Sequence, residues 1–323
     1  MTLDDPLRRP SAAAAPVRLD PAFADPEGVL ALIRAGAPYR TQEAMHRHPG
    51  VTRTGGWFRN FWALGGKPLI EGAERVLHEP RLIAAARESF GAEVIRPLAM
   101  MTNLNLPMAG LPPHLDLPFF RGCMRREVPA WMLVPMGYSG LFDAWAVPVA
   151  SAIVWFYDGE GGAFEYWPEG LDAPSRTERP PFSNRGLMAD NERMWHRVGP
   201  LGPPARHVAA DGVPYAATLA LAEGEGWEVR DGDATLMRFA PGEVRLSVLW
   251  KAYAFADAEA ERRFESGADD LTPARVTEIF LDDLRARGEA AEPPADPAAD
   301  PGWKALLERV YAAPPLPETS DGA

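Results

Sequence analysis

The middle of the chain sets the fold class. Between about 95 and 255, apolar residues recur at every second position in short runs broken by Gly- and Pro-rich turns. Residues 95–106 read as one strand and 147–157 as a fully buried one. Asp158-Gly159-Glu160-Gly161-Gly162 then turns the chain into a returning strand over 163–167. Further strands fit 192–198, 227–231, 234–240 and 243–255, with Pro241-Gly242 as the last turn. Residues 130–136 also read as a strand, while 168–183 and 199–225 read as loops. So many short strands at regular intervals predict a double-sheet jelly roll or a barrel, architectures that limit unpaired strand edges.

On either side the period is helical. Asp25 caps a helix begun by Pro26 and ended by Gly36, and helical pieces fit 69–78 and 80–90, split at Glu79-Pro80 and closed by Gly91. The aromatic cluster of Trp57, Phe58, Phe61 and Trp62 reads as core. Beyond 256, Thr272 and Pro273 open a helix with a stripe of Val276, Ile279, Phe280 and Leu284, stopped by Gly288. An Ala/Pro/acidic linker over 289–301 leads to a last helix at about 302–312. The expectation is a mainly β fold with flanking helices (α+β). Residues 1–20 would be a disordered segment, 21–285 a single domain, and 286–323 a linker, short C-terminal helix and tail.

Composition removes several function classes. Among 323 residues Cys123 is the only cysteine, which rules out an internal disulfide, a thiolate zinc cage or a thiolate-held iron–sulfur cluster. A formal charge of −12 argues against nucleic acid as a partner. Arg121, Arg125 and Arg126 stand close enough in sequence for a local basic pocket, although a solvated surface is the simpler explanation. No apolar run has the length of a membrane span and no basic-then-apolar leader is evident, so a cytoplasmic protein without a membrane partner is expected.

The chemistry concentrates in Pro112-Pro113-His114-Leu115-Asp116-Leu117-Pro118. If this stretch is extended, His114 and Asp116 point to one side and Leu115 and Leu117 to the other. An imidazole and a carboxylate on one face are two-thirds of the two-histidine, one-carboxylate set that leaves open positions on non-haem Fe(II). His196, in Met194-Trp195-His196-Arg197-Val198, is the candidate third ligand, since alternation puts it among apolar neighbours on a strand. In Val244-Arg245-Leu246-Ser247-Val248-Leu249-Trp250, alternation separates Arg245 and Ser247 from an apolar face. A guanidinium with a neighbouring hydroxyl suits a small dicarboxylate. Arg206, ten residues after His196, is the competing anchor, in a Pro-rich context that makes a poor strand.

Other residues are weighed on the same terms. His46-Arg47-His48 reads as surface, His78 as a helix-end histidine, and His207 as a weaker third ligand than His196. Glu165 faces either the pocket or solvent. Trp155 and Tyr157 alternate on one face of a buried strand, in core packing or against a bound dicarboxylate.

Taken together, His114-Leu115-Asp116, the Gly161-Gly162-Ala163-Phe164 hairpin, Arg185-Gly186-Leu187 leading to His196-Arg197-Val198, and Arg245-Leu246-Ser247 resemble the Fe(II)/2-oxoglutarate-dependent oxygenases, in the family's order, from roughly 100 to 255. The resemblance implies a double-stranded β-helix, or jelly roll. His114, Asp116 and His196 would hold Fe(II), and Arg245 and Ser247 the distal carboxylate of 2-oxoglutarate. Dioxygen and 2-oxoglutarate would then drive oxidation of a small organic molecule or peptide, with release of succinate and CO2. Related halogenases replace the carboxylate ligand, so Asp116 points to hydroxylation or another oxidation. Two alternatives stay open: a cupin-like metalloenzyme using the same three ligands without 2-oxoglutarate, and a non-catalytic jelly-roll ligand-binding protein. The sequence names neither the prime substrate nor the oligomeric state.

Overall fold

A computed structural model describes residues 12–46 and 50–312. Seven strands build the core: β1 (Val94–Asn105), β2 (Val149–Tyr157), β3 (Phe164–Trp167), β4 (Arg176–Glu178), β5 (Phe182–Ala189), β6 (Trp195–Val198) and β7 (Arg245–Phe255). In the large sheet they lie in the order β5-β2-β7-β1, every pair antiparallel. The small sheet runs β6-β3-β4, and a bridge between His114 and His196 adds the His-Leu-Asp stretch beside β6. Along the chain the strands therefore wind back and forth between the two sheets. That winding is the double-stranded β-helix, in a mainly β fold with flanking helices.

Strand alternation decides what each face of the large sheet meets. Val248, Trp250, Ala252 and Ala254 of β7, with Ala150, Ala152, Val154 and Phe156 of β2, join Leu104 in a core under the N-terminal helices Pro26–Ala35, Ala73–Leu77 and Pro80–Phe90. Trp155 and Tyr157 turn the other way and pack with Phe164, Tyr166 and Met194 between the sheets. The helix starts follow the capping chemistry read in the sequence: Asp25 Oδ1 accepts from the Gly28 N–H at 2.9 Å, and Thr272 Oγ1 from the Arg275 N–H at 3.2 Å.

Several expectations fail, each for a physical reason. Residues 130–136 are not a strand but part of the helix Ala130–Ser139, whose Met132, Leu133 and Met136 pack against Phe280, Trp303 and Leu307 of the C-terminal helices. A short apolar run without clear alternation fits either element, and here the helical neighbours select one. The helix expected at 69–78 contracts to Ala73–Leu77, because Gly72 before it adopts φ 82°. Residues 168–183 contain the strand β4, and β5 begins at Phe182. The segment 199–225 is not one loop. Its Thr218–Leu221 strand pairs with Tyr39–Thr41 and Trp227–Asp231, extending the large sheet. Within the N-terminal segment expected to be disordered, Val17–Leu19 forms an edge strand on β5, with Val17 opposite Met188. Among the described residues no helix is long and apolar enough to cross a membrane.

Candidate active site

The histidines are fixed by main chain first. The His114 N–H donates to the His196 carbonyl at 3.0 Å and the His196 N–H returns the bond at 3.1 Å, so the two rings stand 4.5 Å apart. Each ring is then oriented by a carbonyl two residues earlier. Nδ1 of His114 lies 3.0 Å from Pro112 O, and Nδ1 of His196 lies 3.0 Å from Met194 O. A carbonyl only accepts, so each Nδ1 carries its proton and each Nε2 is left with a lone pair, the arrangement a metal-binding imidazole needs. Asp116, two residues after His114 and tied to the Asn191 carbonyl through its N–H at 2.8 Å, brings its carboxylate to the same place. Ligand atoms of His114, Asp116 and His196 all lie within 4.8 Å of one another. Burial, and the neighbouring His114, push His196 down to about 4, so it is neutral near pH 7.

Lys251 completes this cluster, and the sequence reading missed it. It lies in phase with Arg245 and Ser247 on β7, and its Nζ donates to Asp116 Oδ2 at 2.7 Å. Burial alone would raise the Asp116 carboxyl, but the Lys251 ammonium, His196 and His114 together hold it well below the usual carboxylate range. Glu192, also buried, has the opposite fate. Burial dominates there and, helped by Asp190 and Asp116, raises its carboxyl well above the ordinary value despite Lys251. Asp116 and Glu192 also border a small open pocket of about 50 Å³, walled mainly by apolar groups such as Leu117, Phe120, Val134 and Tyr138.

Arg245 and Ser247 project from β7 into the same interior, both only 2% exposed. Arg245 Nε donates to the Gly162 carbonyl at 2.9 Å, its guanidinium carbon sits 5.8 Å from the Trp155 ring, and its Nη2 has no partner among the described residues. Among the described residues no carboxylate pairs with it, and burial lowers it to about 10. Gly162 is required at this approach: its φ is +69° and a Cβ there would meet Arg245 Cδ at 3.0 Å. On the neighbouring strands, Asn105 stands opposite Arg245, while Asn103 and Trp155 flank Ser247. Asn103 Oδ1 accepts from Arg59 Nε at 2.6 Å and from Trp57 Nε1 at 3.1 Å.

The remaining candidates are elsewhere. Arg206 lies in the turn 204–206, pairing with Glu243 at 2.8 Å and with the Arg238 carbonyl. His207 bonds the Gly202 carbonyl, and His78 ends its short helix beside Glu74. Glu165 pairs across the small sheet with Arg197 at 2.6 Å and also accepts from Ser175. Arg121 pairs with Asp269 and Arg126 with Glu127, so the basic pocket entertained for that stretch does not form from these two. Cys123 is buried, which pushes its thiol up to about 11 and makes it a poor nucleophile. Of His46-Arg47-His48, residues 47 and 48 and the His46 side chain lie outside the described residues.

Fold and site thus define a jelly-roll protein with a half-buried two-histidine, one-carboxylate cluster and a buried arginine on the neighbouring strand β7. No family model and no curated protein matches the sequence. Solved structures similar to it are 2OG-Fe(II) oxygenase family proteins and prolyl hydroxylases. An oxidoreductase of the 2OG-Fe(II) oxygenase family from Burkholderia pseudomallei is 14% identical, with 75% of this chain and 86% of that one covered and a TM-score of 0.38. A Pseudomonas putida prolyl-4-hydroxylase is 15% identical over 76% and 94% of the two chains, with a TM-score of 0.39. HygX from Streptomyces hygroscopicus, solved with nickel and 2-oxoglutarate bound, is 13% identical over 75% and 83%, also with a TM-score of 0.39.

Proposed function

We propose that this protein is an Fe(II)- and 2-oxoglutarate-dependent oxygenase that hydroxylates a small organic molecule or a peptide, releasing succinate and CO2. The observation that carries the reading is Arg245: a guanidinium 2% exposed, with no carboxylate partner among the described residues, on the same sheet face as the lysine that holds Asp116. A charge in that position calls for an anion from outside the protein. A cupin-like metalloenzyme without 2-oxoglutarate has no use for it, nor has a jelly roll that binds no anionic ligand.

The donor set fits the metal. Two imidazoles with free Nε2 lone pairs and one ionised carboxylate are the facial set associated with non-haem Fe(II) in oxygenases. His114, Asp116 and His196 would hold the ion, which when bound supplies dioxygen chemistry. The protein's own residues orient and exclude. Pro112 and Met194 carbonyls hold the imidazole tautomers, and Lys251 occupies Asp116 Oδ2, leaving Oδ1 for the metal. Arg245 and Ser247 would hold the distal carboxylate of 2-oxoglutarate from the face of β7 they share. Phe164, whose ring is 5.6 Å from His196 and 5.3 Å from Trp155, shields the space between. The apolar surface beside Asp116 is the side from which the prime substrate would approach. We also assign the catalytic unit to a single domain over 21–285, with 286–323 appended to it.

The test is spectroscopic. Under anaerobic conditions, Fe(II) and then 2-oxoglutarate are added to metal-free protein, and the visible charge-transfer absorption of the chelated iron is followed. The expected band requires both additions and is lost in His196→Ala. Metal binding without a band would overturn the co-substrate, and absence of metal binding would overturn the triad.

A further inference from the structure

We propose that Asn105 and Trp155 complete, with Arg245, a three-donor cradle for a carboxylate, and that this cradle selects the co-substrate by its distal end. The proposal rests on the oxygenase reading above and extends it to two residues of the sheet interior.

Three residues of this face carry buried N–H donors without an acceptor among the described residues: Arg245 Nη2, Asn105 Nδ2 and Trp155 Nε1. Their residues are 2%, 2% and 1% exposed. They are neighbours by register and by contact. Arg245 is directly across the β7–β1 ladder from Asn105, and the Trp155 ring lies beside the Arg245 guanidinium. Alternation turns all three away from the helices, since Leu104, Val154 and Leu246 take the opposite face.

A buried donor without a partner carries a desolvation cost, and a bound acceptor would relieve that cost at all three. The nearby acceptors are already engaged. The Gly162 carbonyl takes Arg245 Nε, the Glu160 carbonyl takes the Tyr157 hydroxyl at 2.7 Å, and Asn103 Oδ1 takes Trp57 and Arg59. One of the three orphan donors is charged and two are neutral, and none can accept. A ligand that satisfies them is an anion with several lone pairs in a compact group, and a carboxylate offers four acceptor sites on two oxygens. A 2-oxo acid that ends in a methyl group would leave all three unpaired, so the cradle discriminates strongly against it.

The experiment uses the full chain loaded with Mn(II), which does not turn over, and calorimetric titration of two ligands. One is 2-oxoglutarate. The other is 2-oxopentanoate, of the same length without the distal carboxylate. Asn105→Leu and Trp155→Phe are each expected to weaken 2-oxoglutarate about tenfold or more while leaving 2-oxopentanoate unchanged. Asn105→Asp keeps the side-chain shape but offers Arg245 an internal carboxylate, so it should lose 2-oxoglutarate and keep 2-oxopentanoate. The proposal is overturned if both ligands weaken together, which is a packing effect, or if neither variant changes their ratio. If the wild type binds no 2-oxoglutarate, the oxygenase reading falls with it. If the wild type binds and the variants match it, the cradle alone falls.

Discussion

Replacing Arg245 by Met should stabilise the ligand-free protein while removing its hold on the co-substrate. In the folded chain burial lowers the guanidinium from 12.5 to about 10, which at 1.36 kcal/mol per pKa unit puts the charged form at a disadvantage of roughly 3 kcal/mol. Met fills a similar length without the charge and recovers that amount. Against the gain, the Gly162 carbonyl loses its donor, which costs about 1 kcal/mol or somewhat more. The contact with Trp155 goes too, at about 0.5–1 kcal/mol. The balance is near 1 kcal/mol in favour of the variant, a rise in Tm of about 2–4 °C for a domain of this size. Ligand reverses the order. With Mn(II) and 2-oxoglutarate at a hundred times Kd, the wild type gains about 2.7 kcal/mol. The variant, without its charged partner, should lose at least about 30-fold in affinity, or 2 kcal/mol, and gain correspondingly less. Differential scanning calorimetry with and without ligand reads both effects. A variant that melts several degrees below the wild type without ligand would show that the protein itself compensates the charge. An equal ligand shift in both proteins would show that Arg245 is not the anchor.

Asp116→Ala should abolish metal binding and also destabilise the fold by about 2–3 kcal/mol, because it strands the Lys251 ammonium in a largely buried position. Adding Lys251→Met to that variant should restore the Tm but not the metal, as read by calorimetry and metal titration; a metal site that returns would remove Asp116 from the ligand set. For His196 the sign is that of a depressed base. The unfolded chain binds the proton below about 6.5 and the folded chain only near 4, so metal-free stability should fall by about 1.4 kcal/mol for each unit the pH drops from 6.5 towards 4, and His196→Gln should flatten that slope in denaturant titrations. Arg206→Ala should leave 2-oxoglutarate affinity unchanged and shift stability by less than about 1 kcal/mol, since its carboxylate partner Glu243 is near the surface; a large loss of affinity would move the anchor to the turn at 204–206.

The features legible in the sequence are those that depend on local geometry. Period-two alternation is a property of the extended backbone, so Arg245 and Ser247 separate from Leu246, Val248 and Trp250 without reference to any partner strand. The same argument put His114 and Asp116 on one side, and capping chemistry marked Pro26 and Pro273 as helix starts. Lys251 follows from the alternation that exposed Arg245 and Ser247, but only Asp116 opposite its end gives that position a meaning.

What lay beyond the sequence depends on partners far away along the chain. Residues 130–136 became helix because the C-terminal helices offered a surface for Met132 and Met136, which a window of a few residues does not contain. Val17–Leu19 sits in an Ala- and Pro-rich segment that reads as disordered, yet the open edge of β5 supplies its hydrogen bonds. Lys251 reaches Asp116 across 135 positions, and the orphan donors Asn105, Trp155 and Arg245 come from three strands that meet only when the sheet closes. Sequence by itself determined which way each side chain would face, since that is set by the backbone over two or three residues. Tertiary structure decided which of those side chains would find a partner, because pairing and burial are properties of segments brought together from the whole chain.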